Sequence, residues 1–117
     1  MKRRVVIVDD HPVFRQSARR MLEADGYEVV GEAADGASGV AAVQALKPDV
    51  VLLDVQLPDI DGFDVAARLT GADDPPIVVI TSSRDSSDFG PLVTRSGARG
   101  FLPKGELCGE AIERLVA

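Results

Sequence analysis

Two short apolar runs in this chain end in aspartate, and that placement restricts the fold more than any other feature. Val5-Val6-Ile7-Val8 leads directly into Asp9-Asp10, and Val50-Val51-Leu52-Leu53 leads into Asp54. Each run has the length and β-branched content of a strand buried on both faces. A carboxylate at the end of such a strand cannot face the core unpaired. In a parallel α/β sheet, the carboxyl ends of neighbouring strands line one crevice, where ligands bind. If the two strands are neighbours, Asp9, Asp10 and Asp54 converge there. Three negative charges at close range repel, so something positive must be recruited. The candidates are a hard divalent cation, which prefers oxygen ligands, and a lysine. Lys104 follows a further apolar stretch, Gly100-Phe101-Leu102-Pro103, and is placed to supply that charge.

Strand and helix patterns alternate along the rest of the chain. Strands are predicted at 5–8, 27–33, 50–53, 77–80 and 99–102, and helices at 12–25, 36–46, 61–69, 88–96 and 106–116. Pro12 is tolerated in a first helical turn. Phe14, Ala18, Met21 and Leu22 form an apolar stripe after it, and Gly26 ends the helix. Lys47-Pro48 stops the second helix, and Asp61 is a candidate cap for the third. The helix at 88–96 is weak, because Gly90-Pro91 are poor helix formers away from a helix start. Five strands alternating with five helices imply one α/β domain over 1–117, its parallel sheet covered on both faces.

The overall balance narrows the function. The net charge is -6, which argues against direct nucleic-acid binding and suits a cation or a basic protein surface. No apolar stretch approaches the ~20 residues of a membrane helix. The basic start Met1-Lys2-Arg3-Arg4 runs through a short apolar segment into two aspartates, unlike a signal peptide. The lone Cys108 gives no disulfide framework, so a cytoplasmic setting is expected.

Four ordered segments carry a family resemblance over the whole chain. They are Val8-Asp9-Asp10-His11-Pro12, then Asp54-Val55-Gln56-Leu57-Pro58-Asp59-Ile60-Asp61-Gly62, then Ile80-Thr81-Ser82, and then Gly97-Ala98 with Gly100-Phe101-Leu102-Pro103-Lys104. Each falls at or just after the end of a strand pattern. Together they resemble the receiver domain of two-component response regulators. The Asp-Asp-His-Pro start is similar to the subgroup whose members often carry a helix-turn-helix output domain, and 1–117 contains no such domain.

The resemblance implies a flavodoxin-like, doubly wound sheet with strand order 2-1-3-4-5. It implies that Asp54 is the phosphoacceptor, charged by a sensor histidine kinase or phosphotransfer protein. Mg2+ would be held by Asp10 directly, by Asp9 mainly through water, by Asp54 and by the backbone carbonyl of Gln56. Lys104 would contact the phosphoryl group, Thr81 would donate a hydroxyl to it, and Phe101 would be an aromatic switch. Counting back from Gly97 and Lys104 makes Ser82 the switch hydroxyl instead. Gly105 after Lys104 departs from the proline common in the family.

Other readings make distinct demands. A degenerate receiver would bind a downstream protein without phosphorylation, but the Asp9, Asp10, Asp54 and Lys104 set is intact. A Mg2+-dependent aspartyl-phosphate hydrolase commonly needs a second acid two residues after the nucleophile, where this chain has Gln56. A flavin carrier needs a phosphate loop after the first strand, where Asp9-Asp10 would repel it. Asp59 and Asp61 read as turn and cap residues. His11 reads as part of the loop into the first helix, without a chemical role. The polar stretch 81–87 reads as a mobile loop beyond its first hydroxyls.

Overall fold

The computed structural model describes residues 2–83 and 89–116. The expectation of a mobile loop falls largely on residues 84–87, outside that set, as does the start of the predicted helix at Asp88.

The elements are β1 (Arg4–Val8), α1 (Pro12–Ala24), β2 (Glu28–Ala33), α2 (Gly36–Leu46), β3 (Val50–Asp54), α3 (Gly62–Thr70), β4 (Ile77–Ser82), α4 (Gly90–Arg95), β5 (Gly100–Pro103) and α5 (Gly109–Val116). All strand pairs are parallel, in the order β2-β1-β3-β4-β5. This is the doubly wound, flavodoxin-like arrangement. It puts the ends of β1 and β3 side by side, with Val8 paired to Leu53.

Alternation of side chains along each strand divides the core in two. Val6, Val8, Val51, Leu53, Val78 and Ile80 pack under α2 and α3, against Val43, Phe63, Val65, Ala66 and Leu69. Val5, Ile7, Val50, Leu52 and Val79 pack under α1 and α5, against Ala18, Leu22, Ile112 and Val116. Burial of each of these side chains other than the two alanines stabilises the fold by about 1.5–3 kcal/mol. The apolar content of β1 and β3 thus follows from their being covered on both faces.

Two helices differ from expectation. The last begins at Gly109, not at 106, because Lys104–Glu106 form a separate 3-10 turn. Gly109 N donates to Asp25 Oδ2 at 3.1 Å, and a β-carbon on Gly109 would collide with that carboxylate. α4 is six residues long, with Pro91 in its first turn and no buried side chain.

Tyr27 precedes β2 and is buried, with its hydroxyl donating to Glu113 Oε2 of α5 at 2.6 Å. Burial, and then the bond and charge of Glu113, push the phenol up to about 12. A group whose proton is held more tightly in the fold loses its stabilising effect as pH rises through its folded pKa. The domain is therefore expected to weaken from pH 10 towards 12. Tyr27 is the only tyrosine and there is no tryptophan, so ultraviolet absorbance reads the phenolate directly. Glu113→Gln should lower the midpoint but leave it above 10; an unchanged midpoint would remove Glu113 from the account.

Candidate functional site

The chain leaves β1 through Asp9 and β3 through Asp54, and both carboxylates are buried. Asp10, the next residue after Asp9, keeps a side chain 36% exposed. Asp9 is anchored on several sides. Its N–H donates to Ala33 O at 3.0 Å, its carbonyl accepts from Arg15 Nη1 at 2.6 Å, and its Oδ1 accepts from His11 N at 2.8 Å. Asp54 Oδ1 accepts from Gln56 N at 3.3 Å. Burial, and then the charge of Asp9, hold the Asp54 carboxyl above the usual carboxylate range, while Lys104 opposes them.

Lys104 reaches this pocket from the first residue of the 3-10 turn after β5. Its Nζ lies 2.8 Å from Asp9 Oδ2 and 3.4 Å from Asp54 Oδ2, and 4.5 Å from the centroid of the Phe14 ring. Gly105 does not prevent this approach. The ammonium is close to Asp9 Oδ2 but not aligned as a hydrogen bond to it, and that oxygen is buried with no hydrogen-bond partner. The ion pair with Lys104 offsets its buried charge, while its hydrogen bonding stays open to a ligand.

Strand register separates the two candidate hydroxyls. Thr81 is paired directly with Asp54, whereas Ser82 is paired with Pro103. Successive side chains in β4 alternate, so Thr81 lies on the Asp54 side of the sheet and Ser82 on the opposite one. Thr81 Oγ1 is also buried without a hydrogen-bond partner. Phe101 is half-buried, with its ring centroid 5.8 Å from Phe89, which is itself 5.6 Å from Phe63. Nothing in the sequence reading had picked out Phe89.

The loop after β3 is held by backbone and carboxylates. Gly62 N donates to Val55 O at 2.8 Å, and Asp61 Oδ1 caps α3 by accepting from Phe63 N at 2.7 Å. A β-carbon on Gly62 would collide with the Asp54 carbonyl and lie 2.7 Å from Val55 Cα. Gly62→Ala is therefore expected to destabilise the domain by about 1–3 kcal/mol, measured by urea unfolding, and a neutral result would mean that the loop shifts freely. Asp59 reaches further than a turn residue. It accepts from Gly36 N at 2.7 Å and Ala37 N at 3.0 Å at the start of α2. The N–H groups of Ala37 and Gly36 hold its carboxyl below the usual range.

His11 lies in the loop into the first helix, as the sequence implies, and its Nδ1 is 3.1 Å from Asp9 Oδ1, 3.1 Å from Asp10 Oδ1, 3.9 Å from Asp54 Oδ2 and 3.3 Å from Lys104 Nζ. Asp9, Asp10, His11 and Asp54 each offer one ligand atom, all within 4.8 Å of one another. Carboxylate oxygens clustered in this way fit a divalent cation. A concavity of about 710 Å³ lies at the opposite end of the sheet, near Arg3, Lys47, Asp49 and Arg68. It contains none of these groups. No helix among the described residues is long and apolar enough to cross a membrane.

Comparison with known proteins agrees with this geometry. The response regulator receiver domain family matches residues 5–115. The chain is 39% identical over 116 residues to the transcriptional regulatory protein NarL of Mycobacterium tuberculosis, covering 98% of this chain and 54% of that protein. It is 38% identical over 112 residues to the transcription regulator BvgA of Bordetella pertussis, covering 96% and 54%. It thus spans about half the length of these curated relatives. The signal receiver domain of Mycobacterium tuberculosis NarL superposes with a TM-score of 0.86 at 36% identity, covering 97% of this chain and 96% of that one. A LuxR-family two-component response regulator from Aurantimonas gives 0.89 at 30% identity, covering 99% and 86%. With its strand order, its acidic strand ends and these matches, the chain belongs to the response regulator receiver domain family of two-component systems.

Proposed function

We propose that this domain is a phosphorylation-driven switch with Asp54 as its phosphoacceptor. The observation that carries the reading is the buried Asp54 carboxylate beside Lys104, with the partnerless Thr81 hydroxyl on the adjacent strand. A sensor histidine kinase or phosphotransfer protein would present a phosphohistidine. An Asp54 carboxylate oxygen bonds to phosphorus as the phosphorus–nitrogen bond breaks, and the departing imidazole takes up a proton. Asp10, Asp9, Asp54 and the carbonyl of Gln56 would hold Mg2+. When bound, that ion neutralises the phosphoryl oxygens during transfer. Lys104 holds a second positive charge at the same oxygens. The chain catalyses only its own modification and, on this reading, turns over no separate substrate.

The phosphoryl group adds roughly -1.5 to -2 charges and three acceptor oxygens. Thr81 Oγ1, buried with nothing to bond, gains an acceptor there, and Phe101 moves with β4 and β5. The result is an altered protein-binding face on the α4 side, where α4 buries no side chain. The relatives are named as transcription regulators. The altered face here would act on a protein surface and not directly on nucleic acid, given the net charge of -6. A cytoplasmic setting fits the lone cysteine.

Phosphotransfer from a panel of histidine kinases, with Asp54→Asn as control, tests the reading; no transfer from any kinase or from small phosphodonors would refute it. With a beryllofluoride mimic, Thr81→Ala should lose the wild-type amide shifts in β4 and β5 and Ser82→Ala should keep them. If both variants shift fully, hydroxyl-driven switching is wrong.

A further inference from the structure

We infer that His11 is a metal ligand, and that it gives this acidic pocket affinity for divalent transition ions that accept imidazole, beyond Mg2+. The inference rests on the cation-binding reading of the same pocket and adds a nitrogen donor to it.

The backbone sets the side chain in place. His11 is the N-cap residue of α1, extended at φ -95° and ψ 106°. The following Pro12 disfavours helical geometry at the residue before it. On the other side, His11 N is tied to Asp9 Oδ1 at 2.8 Å. The imidazole is thereby turned over the strand ends instead of out along the helix.

Its distances are those of a coordination shell. Bonds of about 2.1 Å give ligand–ligand edges of roughly 3.0 Å at right angles and about 4.2 Å across the metal. His11 Nδ1 lies 3.1, 3.1 and 3.9 Å from oxygens of Asp9, Asp10 and Asp54. Asp9 Oδ2 is fully buried and faces the Lys104 ammonium at 2.8 Å, so a cation already occupies the position whose charge a bound ion would take over. Lys104 Nζ, 3.3 Å from Nδ1, is the group such an ion would displace from the ring.

Donor chemistry then selects the ion. Mg2+ takes oxygen, binds one or two carboxylates and keeps several waters, so it has little use for imidazole. Zn2+ and Co2+ accept imidazole readily, and affinity for mixed nitrogen and oxygen sites rises along the first-row series. Three carboxylates with one imidazole form such a mixed set.

The test uses the whole domain with Cys108→Ser, since that exposed thiol binds the same ions. Co2+ and Mg2+ affinities are measured with and without His11→Gln, Co2+ by its visible spectrum and Mg2+ by amide shifts. The His11 Nδ1 resonance is followed separately on adding Zn2+. We expect His11→Gln to weaken Co2+ at least 10-fold, to change Mg2+ less than 3-fold, and to alter the Co2+ spectrum. Zn2+, but not Mg2+, should shift Nδ1. Mg2+ binding with equal Co2+ affinity in both proteins would overturn the inference and spare the phosphoacceptor site. Absence of binding by either ion would overturn both. Co2+ binding that depends on His11, without Mg2+ binding, would support the inference and count against the proposed switch chemistry.

Discussion

Acetyl phosphate with Mg2+ is expected to add a single acid-stable, base-labile phosphoryl group, on Asp54, and Asp54→Asn is expected to abolish it. The pocket also presents Asp10 and His11, both more accessible than Asp54. What favours Asp54 is its environment. It is the carboxylate set in line with Thr81 and flanked by Lys104, where charge on the phosphoryl oxygens can be met from two sides. Intact mass and peptide mapping check this, and labelling that survives Asp54→Asn, or that maps to His11, would sink the assignment. The same substitution should stabilise the metal-free domain. Asp54 is held above the usual carboxylate range by burial and by Asp9, so the fold prefers its neutral form. Such a group stabilises below the ordinary carboxylate pKa and loses that effect as pH rises through its folded value. At neutral pH, Asp54→Asn should therefore gain about 1 kcal/mol, ~5 °C in Tm. That gain should shrink in acid.

Lys104→Met is expected to cost the metal-free domain about 3 kcal/mol at neutral pH. Among the described residues its ammonium is the cation nearest the carboxylates of Asp9 and Asp54, at 2.8 and 3.4 Å, and all three side chains are largely buried. Removing one partner leaves carboxylates in a low dielectric without compensation, a loss far larger than that of an exposed ion pair. Lys104 also opposes the upward shift of Asp54, so without it Asp54 should take up a proton more readily. The cost should therefore fade as pH drops, and Mg2+ should restore part of the stability. Combining Lys104→Met with Asp54→Asn should recover a substantial share of the loss, since the two groups interact directly. Urea unfolding across pH provides the measurement. Strict additivity of the two substitutions would show that Lys104 does not act on Asp54.

Much of this was legible along the chain because it depends on local pattern. The apolar runs at 5–8 and 50–53 read as strands covered on both faces from their length and β-branched content, and they emerge as β1 and β3, with every residue from Val5 to Val8 and from Val50 to Val55 buried. Acidic residues at the ends of two parallel strands meet whenever the strands are neighbours, so Asp9, Asp10 and Asp54 could be grouped from their positions alone. Asp61 as a helix cap follows from the same local reasoning, because a cap and its N–H are two residues apart.

What depends on distant partners was out of reach. A short apolar stretch does not reveal its register, so choosing Thr81 over Ser82 as the hydroxyl beside Asp54 required the pairing of β3 with β4. Asp59 looked like a turn residue because the N–H groups it binds, on Gly36 and Ala37, lie 23 and 22 positions away. The start of α5 falls at Gly109, after the 3-10 turn, where its first N–H meets Asp25, the residue that caps the end of α1. His11 has no local pattern that marks it as a ligand; its ring joins Asp54 and Lys104 only when β1, β3 and β5 end at one edge. Sequence alone thus determined which residues are buried and which carry charge at strand ends, because burial and periodicity are properties of neighbouring residues. Tertiary structure alone decided which charges face one another, because electrostatic and hydrogen-bond energies depend on distances through space that the order of residues does not contain.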